Sequence, residues 1–222
     1  SEPFLAMELL TGEGLDARLA RERRLTVSAA VDLLLPVLDA VSSAHRAGVV
    51  HRDLKPANVF LARRGADGEV TPKLLDFGLA KVLEGDASLT RSRTAVGTPF
   101  YMSPEQAYES RSVGAASDQW SLAVLLYECV TGERPFEGQS VLAVLTAITT
   151  GYVLPPSVVH KGVPEALDEV ILRALQHDPS RRHPSVRDFA AALLPFASAP
   201  AMARWTPVFV APGSGPQPPA GD

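Results

Sequence analysis

The sequence predicts a mainly α chain with short β-hairpins gathered around one polar loop, and three observations carry that prediction. Residues 49–61 read V-V-H-R-D-L-K-P-A-N-V-F-L, a polar octet between apolar, strand-like runs, and polar loops held by apolar flanks are where chemistry is usually placed. From residue 115 onward the apolar positions recur at helical spacing in segment after segment. Between them, residues 76–105 show no sustained periodicity and are rich in Ser, Thr and Gly; loops of that length are usually functional.

A chain of 222 residues with 46% hydrophobic residues can bury a substantial single core. The net charge of -4 and the dispersal of the basic residues exclude nucleic-acid binding by phosphate neutralisation. The one cysteine, Cys129, excludes an internal disulfide framework and lies in an apolar run over 122–130. It is read as a buried core thiol in a reducing, cytoplasmic setting. No apolar run approaches the length of a membrane span, and no signal-peptide form opens the chain. A start at Ser1 rather than Met is read as the mark of a fragment.

Taken in order, residues 1–10 form a strand candidate and Thr11 to Gly14 a turn. Gly12-x-Gly14-x-x-Ala17 imitates a dinucleotide fingerprint, but the second parallel strand and acidic ribose ligand that such a site requires do not follow. Thr26 is an N-cap for a helix whose apolar positions Val31, Leu34, Leu35, Leu38 and Val41 share one face, with Gly48 at its C-terminal end. Pro36 interrupts that helix and would kink it. After the octet, Arg63 to Gly68 is a polar hairpin turn between strands over 59–61 and 70–75. Ser117 to Trp120 caps an apolar helix through Val130 that Gly132 and Pro135 end. Further helices are predicted over 140–150, 164–176 and 185–196. From 198 to 222 Pro, Ala and Gly dominate, so a disordered tail is expected there, after a domain over 1–197.

The octet matches the pattern H-R-D-L-x-x-x-N, and Asp76-Phe77-Gly78 follows Asp53 by 23 residues, with Ser103-Pro104-Glu105 beyond it. Together, and in this order, these motifs resemble a protein kinase of the Hanks type also found in bacteria, over roughly residues 3–196. The resemblance implies a kinase-like C-lobe, a helical bundle with short hairpins at the catalytic loop. It further implies transfer of the ATP γ-phosphate to Ser/Thr hydroxyls of protein substrates in signalling. By resemblance Asp53 accepts the substrate hydroxyl proton, Lys55 reaches the transferring phosphate, and Thr98 lines the hydroxyl site. Asn58 and Asp76 supply the hard oxygen ligands for Mg²⁺, with Mn²⁺ as a substitute. Lys55 in its K-P-x-N setting favours Ser/Thr over Tyr substrates.

The same resemblance makes Met7 the gatekeeper, Glu8 to Leu10 the hinge that receives adenine, and Phe60 the residue beneath the base. Arg52 implies an activation-loop phosphate, for which Thr94 is the expected carrier and Lys81 a second cation, with Ser88, Thr90 and Ser92 as competing carriers. His51, Asp118 and the buried ion pair Glu105–Arg182 are structural members of the site. The remaining histidines form no cluster with metal-ligand spacing. No nucleotide-covering glycine loop, strand lysine or partner glutamate helix precedes the hinge, so the N-lobe β-sheet is expected to be missing from these residues. The expected assembly is soluble, with a homodimer for trans-autophosphorylation compatible with the family. The alternative is a stand-alone C-lobe with little catalysis, acting as a binding or regulatory module.

Overall fold

The structure is a computed structural model, and it describes residues 8–64, 69–75, 99–108 and 113–210. Its order is β1 (Gly12–Gly14), α1 (Leu15–Glu22), α2 (Val27–Arg46), a 3-10 turn (Pro56–Asn58), β2 (Val59–Arg64) and β3 (Glu69–Leu74), then helices α3 (Pro104–Ala107), α4 (Ala115–Thr131), α5 (Val141–Thr150), α6 (Pro156–Val159), α7 (Glu165–Ala174), α8 (Val186–Leu193) and α9 (Ala199–Phe209). The predicted mainly helical class holds among the described residues. They contain one sheet, antiparallel, in the order β1-β2-β3.

The expected hairpin joins β2 to β3 in a register that sets Val59 opposite Leu74 and Ala62 opposite Thr71. Residues 11–14, expected as a turn, instead add a third strand, with Gly12 opposite Ala62 and Gly14 opposite Phe60. That pairing needs a glycine at position 12. Its φ is +150°, and a Cβ there would fall 2.0 Å from the Leu61 carbonyl oxygen and 3.1 Å from the Phe60 ring.

Helix α2 remains continuous through Pro36. An interior proline costs about 3 kcal/mol, whereas each fully buried Val or Leu contributes about 1.5–3 kcal/mol. Val31, Leu33, Leu34, Leu35, Val37, Leu38 and Val41 are all buried, so packing against α4, α8 and β3 outweighs the lost hydrogen bond. Thr26 caps the helix, its Oγ1 accepting from the Ala29 N–H at 3.3 Å, and Gly48 leaves it at φ +76°. Against the expectation from sequence, α2 is long and apolar enough to cross a membrane by length and composition, with mean hydropathy 1.6. Half of that window is buried inside the protein, which is how a core helix passes the same test.

Helix α4 buries all but three of its 17 residues. It starts at Ala115 after Gly114, two residues before the expected cap, because Ser117 points inward to Glu105 rather than toward its own helix end. The disordered tail expected from Ser198 is corrected over Ala199–Phe209, which form α9. Its Ala/Pro composition hid two buried rings one turn apart, Trp205 and Phe209, stacked at 5.6 Å. The Ser198 N–H donates to Asp32 Oδ1 at 2.9 Å and Arg187 Nε to the Phe209 carbonyl at 3.2 Å, so both ends of α9 are tied down. Residues 211–222 of that expected tail lie outside the described residues.

Candidate active site

The octet is mounted on α4 through one carboxylate. Asp118 is 1% exposed, and its oxygens accept from the Arg52 N–H at 2.8 Å, the His51 N–H at 2.8 Å and His45 Nε2 at 2.7 Å. The loop needs this hold because Arg52 adopts φ +66°, a left-handed conformation that costs a non-glycine residue about 1–2 kcal/mol. That turn sends Arg52 outward and lets Leu54, 1% exposed, anchor the next stretch in the core. Asp118 thus accepts from two successive backbone N–H groups of the octet.

His51 is fully buried and links the loop to β3. Its Nε2 donates to the Leu75 carbonyl at 3.1 Å, while Nδ1 accepts from the Asp53 N–H at 3.3 Å. The Leu75 N–H in turn donates to the Asn58 carbonyl at 2.8 Å. Both backbone groups of the residue before Asp76 are thus gripped by the octet.

Three polar side chains converge at the open end of the loop. Lys55 Nζ donates to Asp53 Oδ2 at 2.8 Å, and Asn58 Nδ2 donates to the Asp53 carbonyl at 2.7 Å. The Asp53 side chain is 41% exposed, and its second oxygen accepts no hydrogen bond among the described residues. Asn58 is buried, and its amide is turned by the bond to Asp53 so that Oδ1 likewise stays without a donor among them. A neutral oxygen fixed this way suits a hard cation such as Mg²⁺. Among the described residues no group of three His, Cys, Asp or Glu side chains is placed to hold a metal.

Around this loop, Glu105 and Arg182 form a buried ion pair, bidentate at 2.8 and 2.9 Å. Burial pushes the Glu105 carboxyl up, but hydrogen bonds from Arg182 and Ser117 and the guanidinium charge hold it below the usual carboxylate range. Glu105 lies on α3, whose Ser103 and Gln106 make a reciprocal capping box. Tyr101 OH donates to Glu128 Oε2 at 2.5 Å, and burial raises both the phenol and the carboxyl above their ordinary values. Cys129 is wholly buried and burial pushes its thiol up, the opposite of a nucleophile.

Of the hinge residues, Leu10 is half-buried and Glu8 pairs with Lys73 of β3, opposite Phe60 in register. Phe60 is half-buried with its ring edge against Gly12. Met7, Asp76, Lys81, Thr94 and Thr98 lie outside the described residues. Two contributors are not among the residues that the sequence singles out. His45 reaches Asp118 from the last turn of α2, and Gln106 Nε2 donates to the Arg52 carbonyl at 2.9 Å. For Gln106 a signal existed in the S-x-x-Q capping box; for His45 only its place near a helix end was available.

The family model described as the protein kinase domain matches residues 1–192. The chain is 41% identical over 191 residues to the serine/threonine-protein kinase Pkn1 of Myxococcus xanthus, covering 86% of this chain and 27% of that protein. To PknB of Mycobacterium tuberculosis strain H37Rv it is 35% identical over 193 residues, covering 86% and 30%. To pkn3 of Myxococcus xanthus it is 39% identical over 195 residues, covering 86% and 35%. The chain thus spans about a third or less of the length of these curated relatives. With the loop assembled on α4, the buried Glu105–Arg182 pair and this match, the chain belongs to the protein kinase domain family, in the Hanks-type form of bacterial serine/threonine kinases.

Proposed function

We propose that this chain carries the catalytic loop of a serine/threonine protein kinase, which moves the γ-phosphoryl group of ATP to a protein hydroxyl. The observation that carries the reading is the Asp53 carboxylate, 41% exposed as a side chain, with one oxygen tied to Lys55 and the other without a hydrogen bond among the described residues. The second oxygen accepts the proton of an incoming Ser or Thr hydroxyl and keeps its lone pair in line with the phosphorus. General-base help of this kind is worth about 10²–10⁴-fold. Lys55, one hydrogen bond away from the base, neutralises charge that gathers on the transferring phosphoryl oxygens. The ADP oxygen leaves as the new ester bond forms.

Asn58 Oδ1 and Asp76 are the residues that would hold Mg²⁺, which supplies charge neutralisation at the phosphates. Adenine is assigned to the hinge at Met7, Glu8 and Leu10, with Phe60 beneath it; the Leu9 and Leu10 backbone groups make no hydrogen bond among the described residues. Thr98 is assigned to the hydroxyl site, and Thr94 to a regulatory phosphate that pairs with the exposed Arg52 and with Lys81. Efficient transfer also needs groups that clamp the α- and β-phosphates, and no residue of this chain is assigned that role, so the test uses the intact protein.

With radiolabelled ATP and a mixed Ser/Thr protein substrate, Asp53→Asn is expected to cut transfer by about 10²-fold or more, with the melting temperature unchanged. In the same assay Thr94→Ala lowers activity far more than Ser88→Ala. An Asp53→Asn protein that keeps wild-type transfer refutes the assignment. Equal small losses at Thr94 and Ser88 refute the regulatory one.

A further inference from the structure

The peptide unit that joins Arg52 to Asp53 is pinned at both of its polar atoms. Its N–H, on Asp53, donates to His51 Nδ1 at 3.3 Å, and its carbonyl, on Arg52, accepts from Gln106 Nε2 at 2.9 Å. Gln106 comes to this contact already oriented. Its Oε1 accepts from the Ser103 N–H at 3.0 Å and lies 3.2 Å from Ser103 Oγ, while its own N–H donates to that hydroxyl at 3.3 Å. The next residue back, Glu105, is fixed to Arg182 in the core. The donor that reaches Arg52 therefore projects from a rigid mount 54 residues away in sequence.

We propose that Gln106 is a positioning residue for the transfer reaction: it holds the Arg52–Asp53 peptide plane, and with it the direction of the Asp53 carboxylate, from helix α3. The proposal rests on the reading of Asp53 as the base. The conformation makes such a hold necessary, because Arg52 at φ +66° would relax toward the ordinary right-handed or extended regions if its carbonyl were released. Asp118 controls only the other side of Arg52, through its N–H. Without Gln106 the plane ahead of Asp53 is left to the 3.3 Å bond from the Asp53 N–H to His51 Nδ1 and turns more freely about Arg52 ψ, and a base displaced by rotation spends less time in line with the hydroxyl. Helix α3 follows the residues that include Thr94 and Thr98 in sequence, and a displacement of α3 would reach the Arg52–Asp53 peptide through this amide.

The chemistry of the side chain allows the bridge to be cut without removing the cap. Gln106→Glu keeps the length and an acceptor for the Ser103 N–H, as in a Ser-x-x-Glu capping box, but sets an oxygen against the Arg52 carbonyl. Gln106→Ala removes both bridge and cap. In the intact protein, Gln106→Glu is expected to lower kcat about three- to tenfold, the factor one hydrogen bond of ordinary net strength is worth. KM for ATP stays at the wild-type value, the melting temperature falls less than in Gln106→Ala, and hydrogen exchange quickens in peptides spanning residues 50–54. Gln106→Ala loses the same activity and melts earlier.

If the wild type transfers phosphate and Gln106→Glu matches it in kcat, the proposal is overturned while the kinase reading stands. If Gln106→Glu melts as early as Gln106→Ala, the bridge to Arg52 supports the fold as a whole rather than the direction of the base, and the proposal is equally overturned. Should the wild type transfer nothing, the kinase reading fails instead, and the exchange measurement alone decides: faster exchange at 50–54 upholds the pinning, unchanged exchange removes it.

Discussion

Replacing Glu105 by Ala tests how the site is fastened to the core. The pair it makes with Arg182 has side chains 6% and 0% exposed. After the change, the guanidinium keeps the carbonyls of Ala116, Gln176 and His177 at 2.7, 2.8 and 3.3 Å, but no carboxylate faces its charge in that contact. Ser117 Oγ loses its acceptor as well. Breaking one partner of a buried pair costs about 3–5 kcal/mol, and at this chain length each kcal/mol shifts the midpoint by about 2–4 °C. A fall of about 10 °C in melting temperature is therefore expected, with a matching drop in the urea midpoint at constant m. The pair also carries a pH signature. Because the folded Glu105 pKa lies below its ordinary 4.5, its contribution is complete above that value and is lost as the pH falls through the lower folded value. Glu105→Ala should lack that part of the acid destabilisation. Glu105→Leu combined with Arg182→Met removes both charges, and apolar replacement of a buried pair is often neutral or stabilising, so the double variant should recover most of the loss. A single variant within about 1 kcal/mol of wild type, or a double variant no better than the sum of the singles, would refute the reasoning.

Two other perturbations read different parts of the fold. Burial holds the His183 imidazole below its ordinary 6.5; the stability this gives is full above 6.5 and falls away as the pH drops below it toward the folded value. The melting temperature of wild type should consequently decline more between pH 7 and pH 5 than that of His183→Gln, and equal slopes would dismiss the effect. For α9, Trp205→Ala removes a ring that is 9% exposed, and large-to-small changes of buried aromatics cost about 3–5 kcal/mol. A loss near the lower end is expected by urea denaturation, and a change under about 0.5 kcal/mol would mean that α9 is not docked.

How much a residue discloses through sequence alone depends on whether its partners are near it in the chain. Asp53, Lys55 and Asn58 are legible because the whole loop lies in one octet whose spacing is the geometry. Thr26 and Gly48 mark α2 correctly for the same reason, since caps are local. Glu105 and Arg182 come from resemblance, as no local rule joins residues 77 apart. The failures share the opposite cause. Gly12 to Gly14 look like a turn until Ala62 to Phe60 arrive to pair with them. Ser198 to Phe209 look like a tail because propensity counts Pro and Ala, while Asp32, α8 and the stacked rings supply the stabilisation. His45 is a helix-end histidine of no particular promise until Asp118, 73 residues later, takes its Nε2–H.

Helix α4 leaves a thermal consequence. The same rod that is wedged on nearly every side into the interior also grips the octet at its first turn, through Asp118. Warming cannot slacken the grip while leaving the rod in place, nor free the rod while sparing the grip. Heat inactivation of the transfer reaction should accordingly coincide with global melting, without an earlier phase in which a folded but idle protein accumulates.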